Sequence, residues 1–181
     1  MTGSVEKNYS LALFDAVKEE KGDLAETRKE LNSVKGIVKD ADGFVKLMDS
    51  PTVSAEEKLE IIKQAFGGKL SRCAYNFLCV VTEGRRWDRF DSICRAFSEL
   101  CNEELGIAEI TVTTAFPLSA EQREKVKKKM AEIIGKNIEM SEKTDKSLMG
   151  GIVDDYGDTR MDGSVKTRLE GLRDSFSQLI G

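Results

Sequence analysis

The sequence predicts a two-domain protein, in which an N-terminal all-α six-helix antiparallel bundle is followed by a small α/β domain. Two observations predict this fold. Before Gly106, apolar side chains recur at spacings of three and four residues, as they do on one face of an α-helix. After Gly106, the stretch Ile107–Ala115 is rich in β-branched residues, which favour a strand. We therefore expect a helical domain over residues 1–105 and an α/β domain over residues 106–181.

The first predicted helix, Ser4–Glu20, carries more apolar surface than contact with a single core requires. At 3.6 residues per turn, its apolar side chains spread over an arc of roughly 200°. A surface helix usually shows a stripe of about 100° or slightly more. One interpretation is that the bundle covers one side of this helix and another polypeptide covers the other. The alternative, a helix packed deeply within one domain, stays open at this point.

The next three helices are marked by apolar spacing and by their ends. The second is expected over residues 24–38, and the short third, Ala41–Met48, ends before Pro51 because the residue before proline disfavours a helix. Ser54 and Glu57 have the spacing of a capping box, in which each side chain bonds the backbone N–H of the other residue. The fourth helix therefore begins after Ser54.

The last two helices of the bundle are the most apolar. The fifth, Ser71–Glu83, is apolar over nearly its whole circumference, so we expect it to be central. The sixth begins near Asp88 and carries one continuous apolar stripe to Leu105. Short loops between all six helices favour an antiparallel bundle.

In the second domain a strand, a helix and further short strands are predicted in turn. Ser119 and Gln122 repeat the capping-box spacing that opens the helix, and Asn137–Ser141 is expected to be a short strand. Residues 156–159, Tyr-Gly-Asp-Thr, form a turn signal that joins two antiparallel strands. After Ser164, apolar positions at helical spacing predict a terminal helix.

Composition excludes several classes of function. The chain has 181 residues, 28 Lys and Arg against 32 Asp and Glu, and a net charge of −4 with the two signs mixed throughout. Binding of nucleic acid would need a concentrated basic face, so we expect none. Apolar runs are too short to insert into a bilayer, and the N-terminus lacks the apolar core of a secretion signal, so we expect a cytoplasmic protein.

Catalytic and metal-binding residues are scarce. The chain has no histidine, which excludes Ser-His and Cys-His pairs, and it has no phosphate-binding loop. The four cysteines lie in helical patterns without a CxxC pair, so we interpret them as reduced, mostly buried apolar residues. We predict that the chain is not an enzyme and holds no cofactor or metal.

One acidic cluster remains as a candidate metal site. Its carboxylates could in principle hold Mg²⁺ or Ca²⁺, although their spacing is not that of an EF-hand loop. The members are Asp154, Asp155, Asp158 and Asp162. We interpret them instead as turn and strand-end residues that face water.

Several motifs match one known family. Near the C-terminus they are a Gly pair before a strand, a Gly-Asp turn, and two short runs: DKSL at residues 145–148 and DGSV at residues 162–165, the latter followed by Arg168 and Leu169. In the front half they are Tyr9, Ala12 and Phe14, together with NFL at residues 76–78 and EGR at residues 83–85. Over nearly the whole chain, the sequence resembles the bacterial ATP synthase delta subunit, called oligomycin-sensitivity-conferring protein in mitochondria. Asp154 and Asp155 depart from the family, whose strand usually continues with an apolar and often a basic residue.

The resemblance implies a non-catalytic stator subunit of a rotary F-type ATP synthase. In that role the N-terminal bundle binds N-terminal helices of the alpha subunits on the catalytic head. The C-terminal domain binds the end of the peripheral stalk b subunit, so that ion flow is coupled to ATP synthesis. The expected location is the cytoplasmic face of the cell membrane. Two alternatives are a free-standing helical adaptor and a metal-dependent enzyme built on the acidic cluster.

The resemblance also implies two sets of binding residues. A groove between the first and fifth helices would bind the alpha-subunit segment, and its matching positions are Tyr9, Ala12, Leu13, Asn76, Phe77 and Val80. For each of these the alternative is packing in the bundle core. On the terminal helix, the candidates for contact with the peripheral stalk are Leu169, Leu172 and Phe176. Their alternative is packing on the sheet.

Overall fold

The computed structural model describes residues 4–41, 43–157, 159–165 and 167. The chain divides into two units, residues 1–104 and 105–181. Among the described residues, the first unit is helical, and the second combines one α-helix with a four-stranded sheet. The expectation of a helical N-terminal region followed by an α/β region is confirmed. Within the same residues, no helix has both the length and the apolar character needed to cross a bilayer.

Six α-helices are described in the first unit, and their ends follow the capping residues. Their bounds are α1 (Ser4–Glu19), α2 (Leu24–Asp40), α3 (Phe44–Asp49), α4 (Ala55–Phe66), α5 (Arg72–Glu83) and α6 (Phe90–Leu105). Both hydrogen bonds of the capping box between Ser54 and Glu57 are present at the start of α4. A single turn of 3₁₀-helix, Trp87–Arg89, precedes α6, so this helix begins two residues later than the expected Asp88.

The short third helix starts later than the sequence predicted. Gly43 adopts a left-handed conformation, with φ of 81°, and is the N-cap of α3. Because such a φ interrupts helical geometry, Gly43 lies before α3, where the sequence had placed it within a helix that began at Ala41. The helix ends at Asp49, two residues before Pro51.

One hydrophobic core joins the helices of the first unit. At its centre the indole of Trp87 packs against Phe44 and Phe90, with ring centroids 5.0 and 4.8 Å away. The indole N–H donates a hydrogen bond to Thr82 Oγ1, so the polar group of this buried ring is satisfied. All six helices contribute residues to this core, as does the 3₁₀ turn through Trp87.

The fifth helix is less buried than the sequence predicted. Ala74, Leu78 and Val81 are fully buried, but Asn76 is exposed and half of Val80 is accessible to solvent. Helix α5 therefore has an inner face in the core and an outer face, on which Val80 is the exposed apolar residue, that its own unit leaves uncovered. The prediction that this helix is central holds for its inner face and is wrong for its outer face.

The second unit is a mixed sheet with one described helix. Its elements are β1 (Ile107–Thr114), α7 (Ala120–Ile134), β2 (Asn137–Thr144), β3 (Ile152–Tyr156) and β4 (Thr159–Asp162), and the strand order is β2-β1-β3-β4. Helix α7 connects β1 to its parallel neighbour β2, and the other pairs are antiparallel. The predicted β3–β4 hairpin is confirmed. Strand β2 extends three residues beyond the expected Ser141 because it pairs with β1 along its whole length.

Alternate residues of the sheet face two small cores. On the side of α7, Ile110 and Val112 pack with Met130. On the opposite side, Val153 packs with Ala115 and Leu148. This alternation is the period of two expected of strands and fixes which side chains share a face.

Candidate functional site

Helices α1 and α5 line an open apolar groove of about 360 Å³. All six residues that the sequence assigned to an alpha-subunit groove lie along it. Its lining residues are Asn8, Tyr9, Ala12, Leu13 and Ala16 from α1, Glu20 directly after α1, and Cys73, Asn76, Phe77 and Val80 from α5. The outer face of the first helix is thus not sealed by the bundle. We call this feature the α1/α5 groove.

The floor and the rim of the α1/α5 groove differ in burial. Leu13 and Phe77, which are 3% and 6% exposed, belong to the hydrophobic core and also line the groove, so they form its floor. Ala12 and Val80 are exposed and form its rim. The sequence left open whether Leu13 and Phe77 pack in the core or line the groove. In the structure each of these side chains does both.

Four lining residues were not predicted from the sequence. Ala16 lies four positions beyond Ala12 on α1, and Cys73 precedes Phe77 by the same spacing on α5. Extending the helical stripe by one turn would have found these two residues. Glu20 lies seven positions beyond Leu13 and has no apolar signal. Asn8 lies at the opposite end of α1 and carries no such apolar signal.

Ion pairs fix the position of α1 beside the groove. Glu6 is almost fully buried and accepts a hydrogen bond of 2.6 Å from Arg89, and Lys18 pairs with Glu104 at 2.7 Å. The pKa of Glu6 is lowered by its backbone N–H and then by the Arg89 guanidinium, so this carboxylate is charged at neutral pH. These pairs join α1 to Arg89 and to α6, while Leu13 and Phe77, which belong to the bundle core, hold α1 against α5, so the α1/α5 groove is preformed.

The thiols are neutral. Cys73 Sγ lies 3.3 Å from Glu20 Oε2 at one end of the groove, and burial, followed by the bond to Glu20, raises the pKa of the Cys73 thiol. Burial raises the pKa of Cys94 to about 12 and that of Cys101 to about 11. All four cysteines are free, Cys94 and Cys101 are buried, and Cys73 and Cys79 are half-buried.

The three described members of the acidic cluster, Asp154, Asp155 and Asp162, do not come together as one group. Asp154 and Asp155 are successive residues of β3 and therefore face opposite sides of the sheet. Asp162 accepts hydrogen bonds from Ser164 N and Thr167 Oγ1, at 2.8 and 2.9 Å. Asp158 lies outside the described residues. Within the described part of the chain, no group of three or more Cys, Asp or Glu side chains could hold a metal ion.

Asp154 corrects the expectation that all four aspartates face water at turns or strand ends. It lies in the middle of β3, between Val112 of β1 and Met161 of β4, and its side chain is half-buried on the α7 side. Burial, and then the charge of Asp155, raise the pKa of the Asp154 carboxyl. The strand continues to Tyr156 in spite of the two charges.

The predicted stalk-contact residues Leu169, Leu172 and Phe176 lie outside the described residues. The structure describes the start of the expected terminal helix only at Val165 and Thr167. Ser164 Oγ accepts a hydrogen bond from Thr167 N, as an N-cap residue does. The assignment of these three residues stays a prediction.

An open apolar groove between two helices is typical of proteins that bind other polypeptides. Known proteins agree with this class. The sequence profile described as ATP synthase delta (OSCP) subunit matches residues 5–176. ATP synthase subunit delta of Desulforudis audaxviator is 34% identical over 176 residues, which cover 97% of this chain and 96% of the relative. The corresponding subunit of Halothermothrix orenii is 33% identical and covers 99% of this chain and 93% of the relative.

A solved structure of an ATP synthase also contains a chain that is similar to this one. A chain in the cryo-EM structure of the Toxoplasma gondii mitochondrial ATP synthase hexamer superimposes with a TM-score of 0.69 at 27% identity, over 99% of both chains. The present chain belongs to the ATP synthase delta (OSCP) subunit family. It is a non-catalytic subunit of the membrane-associated F-type ATP synthase and a stator component of its peripheral stalk.

Proposed function

We propose that the N-terminal unit binds the N-terminal segments of the alpha subunits in the α1/α5 groove. In this proposal the six helices act as one antiparallel bundle on top of the catalytic head. The C-terminal unit binds the end of the peripheral stalk b subunit, at the cytoplasmic face of the cell membrane. The chain then ties the head to the stalk and resists the torque of the rotor, so that ion flow is coupled to ATP synthesis.

The observation that carries the proposal is the open, apolar and preformed α1/α5 groove. From Asn8 to Glu20 it follows twelve residues of α1, or about 18 Å at 1.5 Å per residue. That length matches about three turns of a bound amphipathic helix. A helix laid in such a groove buries side chains at every third or fourth position, as helix-in-groove complexes do.

The affinity of the proposed complex would come mainly from apolar side chains that the partner buries in the groove. Each apolar side chain that becomes fully buried contributes about 1.5 to 3 kcal/mol. A complex with a micromolar Kd needs about 8 kcal/mol in net terms. Several partner side chains packed between Val80 and Ala12, over the floor of Leu13 and Phe77, can supply this after the cost of ordering the peptide.

The C-terminal unit is the proposed contact with the stalk. Its support is the matching signature around Asp162 and Ser164, whose hydrogen bonds open the terminal helix, together with the membership of the chain in a stalk subunit family. Leu169, Leu172 and Phe176 are the proposed contact residues. They belong to the stretch of sequence that follows this signature.

A single charge on the rim tests the groove assignment. Ala12 is exposed, so Ala12→Asp leaves the core of the isolated unit intact but places a carboxylate against the apolar partner. We expect the affinity for a synthetic alpha-subunit N-terminal peptide to fall about tenfold or more, or roughly 1.4 kcal/mol. Isothermal titration calorimetry measures the affinity, and thermal denaturation checks that the fold is retained.

The matched control is Ala55→Asp, the same change at an exposed alanine in the first turn of α4, away from the groove. This control should bind the peptide as the parent does. Equal affinity of Ala12→Asp and the parent would refute the assignment of the α1/α5 groove.

A further inference from the structure

Two motifs of the second unit that lie apart in the sequence meet in the structure. One is the Gly pair at residues 150–151, before β3, and the other is Asp-Gly-Ser-Val at residues 162–165, which begins at the last residue of β4. Two backbone hydrogen bonds join these segments of the chain. They run from Gly163 N–H to Ile152 O and from Val165 N–H to Gly150 O, at 2.9 and 3.0 Å. The contact therefore continues past the end of β4, up to the residue where the expected terminal helix begins.

At Gly151 the two segments approach too closely for a side chain to fit between them. An added Cβ would lie 2.5 Å from Gly163 O, 2.7 Å from Ser164 Cα and 3.1 Å from Val165 N. Since all three are backbone atoms, no side-chain rotation could relieve the overlap, and residues 163–165 would have to move. The φ of Gly151 is also 84°, a conformation that favours glycine. Both the close approach and the backbone conformation therefore require glycine at this position.

Ser164, on the other side of this contact, is buried and opens the expected terminal helix. Its N–H donates to Asp162 Oδ1 at 2.8 Å, and its Oγ accepts a hydrogen bond of 3.2 Å from Thr167 N–H. The Thr167 hydroxyl donates in turn to Asp162 Oδ2 at 2.9 Å. These bonds satisfy N–H groups at the start of the helix. The residues that lie against Gly151 are thus the ones that determine where the helix begins.

We propose that Gly151 is a positioning residue for the contact with the peripheral stalk. It lets residues 163–165 lie directly against the start of β3, and so fixes the point from which the stretch holding Leu169, Leu172 and Phe176 begins. Gly151 has no side chain to offer a partner, so it acts only through the residues that it allows to approach. The inference rests on the proposed binding of the stalk b subunit by that stretch, and adds what attaches the stretch to the sheet.

A small displacement at Gly151 is enough to weaken a packed interface. An oxygen atom 2.5 Å from the added Cβ has to move by about 1 Å to reach ordinary van der Waals separation. A helix carries such a shift of its first turn along its whole length. Apolar side chains that fit closely against a partner lose a quarter to a half of their attraction when a gap of about 0.5–1 Å opens. The contact residues therefore lose affinity although none of them is changed.

Titration calorimetry of the full chain with a soluble C-terminal segment of the stalk b subunit tests the inference. For Gly151→Ala we expect Kd to rise about tenfold while the stoichiometry stays at that of the parent, because the contact residues are displaced but present. The affinity of the same variant for the alpha-subunit peptide should match that of the parent, since the first unit is unchanged.

The matched control is Gly135→Ala. Gly135, at the end of α7, has a similar φ of 73°, but among the described residues no atom lies within 4 Å of an added Cβ. This control shares the backbone strain without the close contact and should bind the b-subunit segment as the parent does. Equal Kd values for Gly151→Ala and Gly135→Ala would overturn the inference. A lower stoichiometry of Gly151→Ala at unchanged Kd would overturn it too, because that result indicates partial unfolding alone.

A milder variant approaches the same contact from Ser164. Ser164→Ala keeps the close approach to Gly151 but removes the oxygen that accepts the Thr167 N–H. We expect a Kd for the b-subunit segment that is higher by roughly two- to fivefold, again at full stoichiometry. Binding as tight as that of the parent would contradict the claim that residues 162–165 set the position of the stretch.

The outcomes separate this inference from the proposed function. A parent chain that does not bind the b-subunit segment would remove the proposed stalk contact and the inference with it. A parent that binds the segment, with Gly151→Ala binding as tightly as Gly135→Ala, would remove the inference alone.

Discussion

At the level of single residues, Gly84 leaves room for the Tyr9 hydroxyl at the end of the α1/α5 groove where α5 ends. Its φ of −71° is open to any residue, but an added Cβ would lie 2.5 Å from the Tyr9 hydroxyl. Because this hydroxyl is the far end of a flexible side chain, Tyr9 can swing into the groove at little cost in stability. We predict that Gly84→Ala weakens binding of the alpha-subunit peptide by on the order of 1 kcal/mol, about fivefold in Kd.

Removal of the hydroxyl provides the control for this prediction. In the double variant Gly84→Ala with Tyr9→Phe, the added methyl group no longer meets an oxygen atom, so binding should recover. Titration of both variants with the same peptide makes the comparison. An unchanged affinity of Gly84→Ala would show that Tyr9 does not need its present position.

Asp154 makes the stability of the second unit depend on pH. It faces a cavity of about 610 Å³ beside α7, lined mainly by apolar residues such as Val126 and Met130, and no donor in the described part of the chain reaches its buried Oδ1. Burial raises its pKa above the unfolded value of about 3.9. The folded state then binds a proton more tightly than the unfolded state. The free energy of unfolding therefore falls as pH rises from the unfolded pKa through the raised folded pKa.

We predict that Asp154→Asn stabilises the second unit at neutral pH by on the order of 1 kcal/mol, because it removes a poorly solvated charge. Below about pH 4 the parent carboxyl is neutral as well, so the advantage should disappear. Thermal denaturation at pH 7 and pH 3.5 measures both effects. Asp155→Asn is the control on the opposite face of the sheet, near Arg160, and should have the smaller effect. A gain that is the same at both pH values would argue against the buried charge as its cause.

The residue pattern predicted part of the groove and left part ambiguous. Helical spacing tells which way a side chain points but not what covers it, so Leu13 and Phe77 could be core or groove, and the structure makes them both. Glu20 was missed because an exposed carboxylate has no apolar signal. Asp154 was misjudged because its position in mid-strand depends on pairing with two other strands.

At the level of elements, the sequence correctly predicted helix starts and turns that depend only on neighbouring residues. The capping residues placed the starts of α4 and α7, and the turn at residues 156–159 placed the hairpin. The errors occur where tertiary context decides. The second half of β2 is polar, and it is a strand only because it pairs with β1. Helix α5 looked central because its outer face is apolar, which is equally the requirement of a groove.

Removal of the β3–β4 hairpin and all that follows tests which elements bind the stalk b subunit and which bind the alpha-subunit peptide. A chain that ends after Leu148 retains the six helices of the first unit with their single core. We predict that it loses binding to the stalk b subunit but keeps the affinity of the parent for the alpha-subunit peptide. Its first-unit melting transition should be unchanged. Stalk binding by this truncated chain would contradict the assignment of that contact to the C-terminal signature.

At the level of the whole molecule, the proposed function gives each of the two units its own partner. The first holds a preformed apolar groove, and the second carries the signature around Ser164. A stator has to bind two partners at once without catalysis, and a chain with one binding surface on each unit meets this requirement. The family could be inferred from sequence motifs alone, whereas the shape and depth of the groove required the packing of α1 against α5.

Competition on the catalytic head tests the central claim most directly. Heads stripped of this subunit are titrated with the purified chain, in the presence and absence of a saturating alpha-subunit N-terminal peptide. If the α1/α5 groove is the attachment site, the peptide displaces the chain from the head, and Ala12→Asp fails to bind the head at concentrations where Ala55→Asp binds. Binding of the chain to the head with the same affinity at every peptide concentration would contradict the account.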